Sequence, residues 1–316
     1  MIRSKTTAAF RFSCLVGAVA AIFAAGLPLC EARAQQRFNS AEAAADALAA
    51  AARTGDRKQI IAVLGPGSAD IVSSGDAVQD DETRKAFVTA YDAKHSIKPE
   101  TGKPATLLVG QDDFPFPIPL VEKNGSWSFD TKAGREEILA RRIGRNELAA
   151  IQVSLAFYDA QNEYADLAPK VDGMSVYAQR IASRPGKKDG LYWPATQGEP
   201  ESPIGEAVAD AALRGYKVGG GEPYHGYRYK ILTRQGPAAA GGAHDYIAGG
   251  NMIGGFALVA WPAEYGNSGI ATFMINHQGD VYEKDLGANT QQVASRMTSF
   301  NPDRTWKKVI ETQEVK

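Results

Sequence analysis

The chain has 316 residues and a formal net charge of −1, and 22% of its residues are charged. That length is enough to bury a hydrophobic core without disulfide staples. The sequence contains no dense basic run, so nothing in its charge pattern favours nucleic-acid binding.

The N-terminal residues follow the pattern of a secretory signal peptide. Basic residues come before an apolar run at 12–29, and the small-x-small sequence ARA then ends at Ala34. We expect cleavage near Ala34, which removes segment 1–34 and leaves a periplasmic or extracellular protein. The alternative is a retained membrane anchor, but the apolar run is short for a span and no later run reaches membrane length.

Both cysteines lie in this leader, at Cys14 and Cys30. A mature chain that begins at residue 35 would therefore have no thiol. Such a chain could use neither a cysteine nucleophile nor a cysteine-ligated metal, and it could form no disulfide.

Residues 35–135 are predicted to form a small α+β unit of helices followed by a hairpin. Alanine-rich segment 39–54 predicts a helix that Asn39 or Ser40 can cap, and 80–96 predicts another. A strand is expected in PATLLVG. The pair Asn124-Gly125 between apolar residues then favours a hairpin with a type I′ turn.

A second domain is predicted over 136–316, with a long helix at 141–165 as its spine. Leu148, Ile151, Leu155 and Tyr158 recur at helical spacing and predict the face of this helix that packs on the core. The polar residues of the helix are expected on its remaining surface: Arg142, Arg145, Glu147, Gln152 and Asp159. A further helical segment is predicted at 174–183.

The remainder of the second domain reads as a long loop followed by a sheet. Segment 184–205 is dense in Gly and Pro and is long for a simple connection. The segments GYRYKIL, GGFALVAWP, GIATFMIN and VYEKDLG then predict short strands in series, as in an antiparallel meander. The fold class is therefore α+β.

Two long stretches of the second half carry a family resemblance. LYWPATQGEPESPIG and ATFMINHQGDVYEKDLG, together with the run between them, resemble a family of exported bacterial proteins catalogued as domain of unknown function 2950. The resemblance covers most of the mature chain. It implies an envelope or secreted location and supplies no reaction.

Two fold resemblances accompany it. The helix at 141–165 and the later strands resemble the head domain of type IV pilins and pseudopilins, which implies a long helix packed on an antiparallel sheet. Because this helix is internal and lacks the hydrophobic half of a pilin helix, filament assembly is not implied. Segment 39–131, with its NGSWSFD hairpin, resembles a nuclear-transport-factor-like (NTF2-like) cone.

The candidate catalytic residues are histidines and two serines. Ser202 and Ser268 could be proposed as nucleophiles, but neither lies in a G-x-S-x-G elbow, and turn or cap chemistry is the better interpretation. His225 or His244 could act as a general base with Asp245 as its orienting acid. The competing interpretation is a surface loop whose His and Asp side chains bond locally, because adjacent side chains rarely aim at one point. No close His pair occurs, so the sequence predicts neither a metal site nor a cofactor.

Four aromatic residues are candidates for binding: Tyr192, Trp193, Tyr224 and Tyr227. They could form an exposed binding face, or they could be core residues beneath the long loop. The leading hypothesis is a non-catalytic scaffold that binds an envelope protein or a surface polymer through this loop. The rivals are an exported hydrolase that uses His225 or His244, and a small-ligand site in the N-terminal half.

The small-ligand hypothesis makes a specific structural demand. It requires a concave pocket lined by Phe87, Tyr91, Trp127 and Phe129, whereas solid packing of these four side chains would remove it.

Overall fold

The structure is a computed structural model that describes residues 35–100, 103–217 and 221–309. The described residues all belong to one compact unit with an α+β fold, as predicted. The proposed signal peptide, with both cysteines, lies outside the described residues. The helices are Ala41–Thr54 (α1), Arg57–Leu64 (α2), Ala69–Val72 (α3), Ala77–Ala93 (α4), Thr131–Leu167 (α5), Gly205–Arg214 (α6) and Thr290–Arg296 (α7).

The strands fall into an N-terminal and a C-terminal group. The first group is His95–Glu100 (β1), Lys103–Val109 (β2), Phe114–Pro115 (β3), Leu120–Lys123 (β4) and Ser126–Phe129 (β5). The second group is Tyr227–Leu232 (β6), Arg234–Gln235 (β7), His244–Asp245 (β8), Ile247–Ala248 (β9), Asn251–Met252 (β10), Ala257–Pro262 (β11), Ala271–Asn276 (β12), Val281–Asp285 (β13), Ser299–Phe300 (β14) and Lys307–Lys308 (β15).

The N-terminal sheet is antiparallel, with strand order β1-β2-β4-β5. Its hairpin turns at Asn124 and Gly125, where both φ angles are positive, at 55° and 73°. This is the backbone of the predicted type I′ turn. Helix α1 begins as expected, because the Ser40 hydroxyl accepts a hydrogen bond from the Ala43 amide at 3.0 Å.

The main C-terminal sheet is an antiparallel meander with strand order β15-β13-β12-β11-β6. Every residue of β11 is buried, which agrees with its continuously apolar sequence. Helix α5 packs across β11, β12 and β13. The predicted arrangement of a long helix on an antiparallel sheet is therefore present.

Helix α5 runs through both halves of the chain. Its early residues Ile138 and Leu139 pack on a hydrophobic core formed by α1, α2 and the first sheet. Its later residues Ala150, Phe157 and Tyr164 belong to a second core beneath the meander. The predicted domain boundary between residues 135 and 136 falls inside this helix.

The predicted core face of α5 was wrong in one part. Leu148 is 67% exposed, while Ile151, Leu155 and Tyr158 are only partly buried. The fully buried stripe lies beside them and consists largely of small or polar residues: Asn146, Ala150, Ser154, Phe157, Ala160, Gln161 and Tyr164. A count of large apolar residues misses such a stripe.

The predicted helix at 174–183 does not form. The Gln161 side chain instead accepts a hydrogen bond from the Ala178 amide and donates one to the Ala178 carbonyl, both at 2.8 Å. These bonds hold the segment extended, and Tyr177 forms a β-bridge with Met252. The buried Gln161 side chain thus hydrogen-bonds the backbone N–H and C=O groups that would otherwise bond within a helix.

No helix within residues 35–100, 103–217 and 221–309 combines the length and the apolar character that crossing a bilayer needs.

Two glycines of α5 allow a test of how tightly this helix is packed. A Cβ atom at Gly134 would lie 2.6 Å from the Pro117 carbonyl oxygen and 2.7 Å from Ile118 Cα, whereas a Cβ at Gly144 would meet nothing within 4 Å. We expect Gly134→Ala to lower the free energy of unfolding by about 1–3 kcal/mol through overpacking.

Gly144→Ala is the matched control and should act in the opposite direction. It should raise the free energy of unfolding by about 0.5–1 kcal/mol, because alanine restricts the unfolded chain and favours the helix. Urea unfolding of both variants measures the difference, and equal effects at the two positions would contradict the packing of α5 against the first sheet.

Candidate functional site

A cavity of about 950 Å³ lies in the N-terminal half of the protein. Its size is at the upper end of the range found for small-molecule pockets. Helices α1, α2 and α4, the first sheet and the early part of α5 all contribute to its wall. The apolar lining includes Leu48, Ile60, Phe87, Val109, Phe116 and Ile118.

Helix α4 forms one wall of the cavity and is itself largely unburied. Of the 17 residues in α4, only Gln79 and Tyr91 are buried. Phe87, in the middle of the helix, is partly buried and packs against Phe116, with ring centroids 5.3 Å apart. Helix α1 faces the same region with small side chains such as Ala52.

The pocket required from the sequence, lined by Phe87, Tyr91, Trp127 and Phe129 together, does not form. Phe87 lines the large cavity, whereas Tyr91 and Phe129 are buried in the core of the first half and Trp127 packs against that core. Phe129 lines a smaller cavity of about 540 Å³ that also includes Lys123 and Lys132. The aromatic wall of the large cavity comes instead from Phe114 and Phe116.

Three arginines of α5 lie on one side of the large cavity. Arg141 is exposed, pairs with Glu137 at 2.6 Å and lies over the Phe114 ring at 5.1 Å. Arg145 is exposed, and no carboxylate partner for it is found among the described residues. Arg142 is only 9% exposed, so its expected position on the solvent side of the helix was wrong.

The Arg142 guanidinium is held at the junction of the two halves. It donates to the Asp70 carbonyl oxygen at 2.9 Å, to the Ile71 carbonyl oxygen and to Asn267 Oδ1. Burial lowers the pKa of Arg142, and the positive charge of Arg145 lowers it further. Asp70 and Ile71 lie within the one-turn helix α3, whose last carbonyl groups have no donor inside the helix, so Arg142 supplies donors to them.

The acids around the cavity are mostly engaged with their own neighbours. Both carboxylate oxygens of Asp80 accept the Ser74 amide at 3.0 Å. Asp81 pairs with Arg84 and Lys85. The Gln79 side chain also lines the cavity, and its Oε1 is buried without a hydrogen-bond partner among the described groups.

A second polar cluster connects the start of α4 to the C-terminal half. Asp76 is 2% exposed, and its Oδ1 caps α4 by accepting the Gln79 amide at 3.1 Å. Its Oδ2 accepts the Tyr216 hydroxyl at 3.0 Å and the Gly226 amide at 2.9 Å. One carboxylate thus joins the helix cap to two segments of the other half.

His225 belongs to this cluster. Arg214 forms a bidentate pair with Glu82, at 2.8 and 2.9 Å, and its Nη1 lies 3.4 Å from His225 Nε2. The hydrogen bond from Arg214 lowers the pKa of Glu82. Burial, followed by the positive charge of Arg214, lowers the pKa of His225, so the imidazole is neutral at neutral pH.

His244 and Asp245 do not form the candidate base and acid pair. His244 is exposed and its Nε2 lies 3.1 Å from the Gly254 carbonyl oxygen. Asp245 is directed to Arg234 at 3.5 Å. His225 precedes the first residue of β6, whereas His244 lies on β8 beyond the opposite end of that strand. The two histidines therefore do not share a site.

The four aromatic candidates do not form a common exposed face. Trp193 is 5% exposed and its indole donates to the Pro200 carbonyl at 3.2 Å. Tyr227 is fully buried and its hydroxyl donates to the Ala271 carbonyl at 2.9 Å. Tyr192 and Tyr224 are half-buried. The indole N–H of Trp193 and the hydroxyl of Tyr227 thus donate to backbone carbonyls within the fold.

Several residues of these sites were not predicted from the sequence. One polar cluster joins two segments that are more than a hundred residues apart in the sequence, with Asp76 and Glu82 in the first and Arg214 in the second. No local sequence motif indicates that these residues lie together. A signal for the arginines was available, because three of them occur within the five residues 141–145.

The described residues contain no group of three or more His, Cys, Asp or Glu side chains positioned to hold a metal ion. In comparisons with known proteins, the model of the family described as "Protein of unknown function (DUF2950)" matches residues 35–309. The chain therefore belongs to that family. No curated protein and no solved structure gives a significant match.

The environment of His225 predicts its titration. We expect its folded-state pKa to lie below the ordinary value of 6.5, because burial and Arg214 disfavour the imidazolium. The unfolded chain then takes up the proton first, so this group destabilises the fold as pH falls through about 6.5. NMR titration of the imidazole measures the pKa.

His225→Asn assigns the resonance with little backbone disturbance, since His225 has φ of 51° and asparagine tolerates that conformation. A folded-state pKa at or above 6.5 would show that the cluster does not bury this ring as described.

Proposed function

We propose that this member of the DUF2950 family is a non-catalytic protein that binds a small, largely apolar ligand in its N-terminal cavity. The cavity of about 950 Å³ between α4 and the first sheet is the observation that carries the proposal. A ligand that fills it would replace water against apolar walls, which contributes roughly 25 cal/mol for each Å² of apolar surface buried.

The wall also provides a few polar groups among many apolar ones, as ligand sites in proteins commonly do. Arg145 is exposed, lines the cavity and offers hydrogen-bond donors to a ligand.

The alternative of an exported hydrolase has weaker support. His225 is flanked by Arg214, and the nearby carboxylate of Glu82 is already held by that arginine. Of the two serines considered as nucleophiles, Ser202 is 7% exposed, while Ser268 is fully buried and its hydroxyl is bonded to the Glu264 backbone. A nucleophile needs an adjacent base and access to substrate.

Export and partner binding are further proposals. We infer that the leader directs the protein to the periplasm or the exterior, and recovery from the cell envelope of a chain that begins near residue 35 would support this. The C-terminal half is proposed to be a pilin-head-like scaffold, because α5 lies across an antiparallel sheet.

On that scaffold, residues 194–201 are exposed between the buried Trp193 and Ser202. This exposed arm is where a partner protein or surface polymer would contact the loop. Equal recovery of partners after deletion of 194–201 would count against that contact.

The ligand proposal predicts saturable binding of a neutral apolar fluorophore such as N-phenylnaphthylamine to the full chain. Ala90 lines the cavity, so Ala90→Phe should fill part of it and weaken binding by about tenfold, the ratio that corresponds to 1.4 kcal/mol. Fluorescence titration gives the dissociation constants.

Ala207→Phe is the control, because Ala207 is exposed on α6 and does not line the cavity. It should bind the fluorophore as the unmodified protein does. The proposal fails if the folded, unmodified protein shows no saturable binding, or if Ala90→Phe and Ala207→Phe bind equally well.

A further inference from the structure

We propose that the ligand is an anionic amphiphile whose carboxylate lies at Arg141 and Arg145 while its apolar tail occupies the cavity. This inference rests on the proposed function and adds the chemical class of the ligand.

Two exposed arginines of α5 place positive charge beside the cavity. Arg141 and Arg145 are four residues apart on α5, so their side chains share one face of the helix. Both are exposed and line the cavity beside Phe114, which is itself 53% exposed. The guanidinium groups therefore lie at the mouth, and the apolar side chains lie further inside.

The positive charge of these arginines is not fully balanced by neighbouring carboxylates of the described residues. Like charges at this spacing on a helix repel each other. Arg141 has one exposed partner in Glu137, and Arg145 has none among the described residues. Arg57 also lines the cavity without a described carboxylate partner, whereas Arg84 is paired with Asp81.

The acids of the lining do not cancel this excess. Asp80 is occupied by the Ser74 amide, and Asp81 by Arg84 and Lys85. Asp112 is the remaining acid of the lining, and it is exposed. An anion at the mouth would thus meet two guanidinium groups and relieve their repulsion.

The chemistry of the recognising groups indicates the head of the ligand. A planar guanidinium fork matches the two oxygens of a carboxylate and can donate two parallel hydrogen bonds to them. The wall behind the mouth, with Leu48, Ile60 and Phe116, offers mainly apolar contact to whatever follows the head. A single-chain alkyl carboxylate satisfies both regions in one orientation.

The test compares dodecanoate, methyl dodecanoate and dodecyl phosphate by isothermal titration calorimetry, below the micelle concentrations of the two anions and the solubility limit of the ester. The full chain should bind dodecanoate at least about tenfold more tightly than the ester, which corresponds to 1.4 kcal/mol. Added salt should reduce this preference, because the two arginines are exposed to solvent.

The double variant Arg141→Gln/Arg145→Gln should lose the preference for the carboxylate and still bind the ester, which also shows that its fold and cavity are intact. Lys123→Gln/Lys132→Gln is the matched control, because it removes the same charge from the smaller cavity. This control should keep the preference.

Each other outcome overturns the inference in a recognisable way. Equal binding of dodecanoate and ester by the unmodified protein would reject the anionic head group but would still support an apolar ligand site. Loss of the preference in the lysine variant, and not in the arginine variant, would show that the carboxylate binds at the smaller cavity. Tighter binding of dodecyl phosphate would reject the carboxylate, and no binding of any probe would reject the proposed function itself.

Discussion

The two halves of this protein depend on one buried cation, the guanidinium of Arg142. Its hydrogen bonds reach the end of α3 in the first half and Asn267 in the turn between β11 and β12 in the second. Asn267 in turn donates to the Ser73 carbonyl at 2.9 Å. A charge taken out of water is costly unless its donors are used, so the three acceptors must remain in place together.

This constraint also shapes the cavity. Because Arg142 fixes α5 against the end of α3, the residues on either side of it, Arg141 and Arg145, are presented at the cavity mouth. Asp76 supports the same geometry from the other direction, since it caps α4 and binds the Gly226 amide of the second half. Asp76 thus holds the first turn of α4, while Tyr91 near the other end of the helix donates a hydrogen bond to Asp46 of α1 at 2.7 Å.

The packing of a long helix on an antiparallel meander could be predicted from the sequence, whereas the polar contacts between the two halves could not. The Asn124-Gly125 turn and the buried strand β11 each follow from a few adjacent residues. Arg142 was expected in solvent because periodicity assigns a polar residue to the outside unless another element covers it. The cavity is lined by residues of α1, α2, α4, the first sheet and α5, and a single sequence contains no signal for the spacing of these elements.

A double-mutant cycle between Arg142 and Asn267 tests most directly whether this contact joins the halves. Arg142→Met, Asn267→Ala and the double variant would be compared with the unmodified protein by urea unfolding. The account predicts a coupling free energy of about 1 kcal/mol or more, within the range seen for residues in one hydrogen-bonded network. Additive effects, within about 0.3–0.5 kcal/mol, would contradict it.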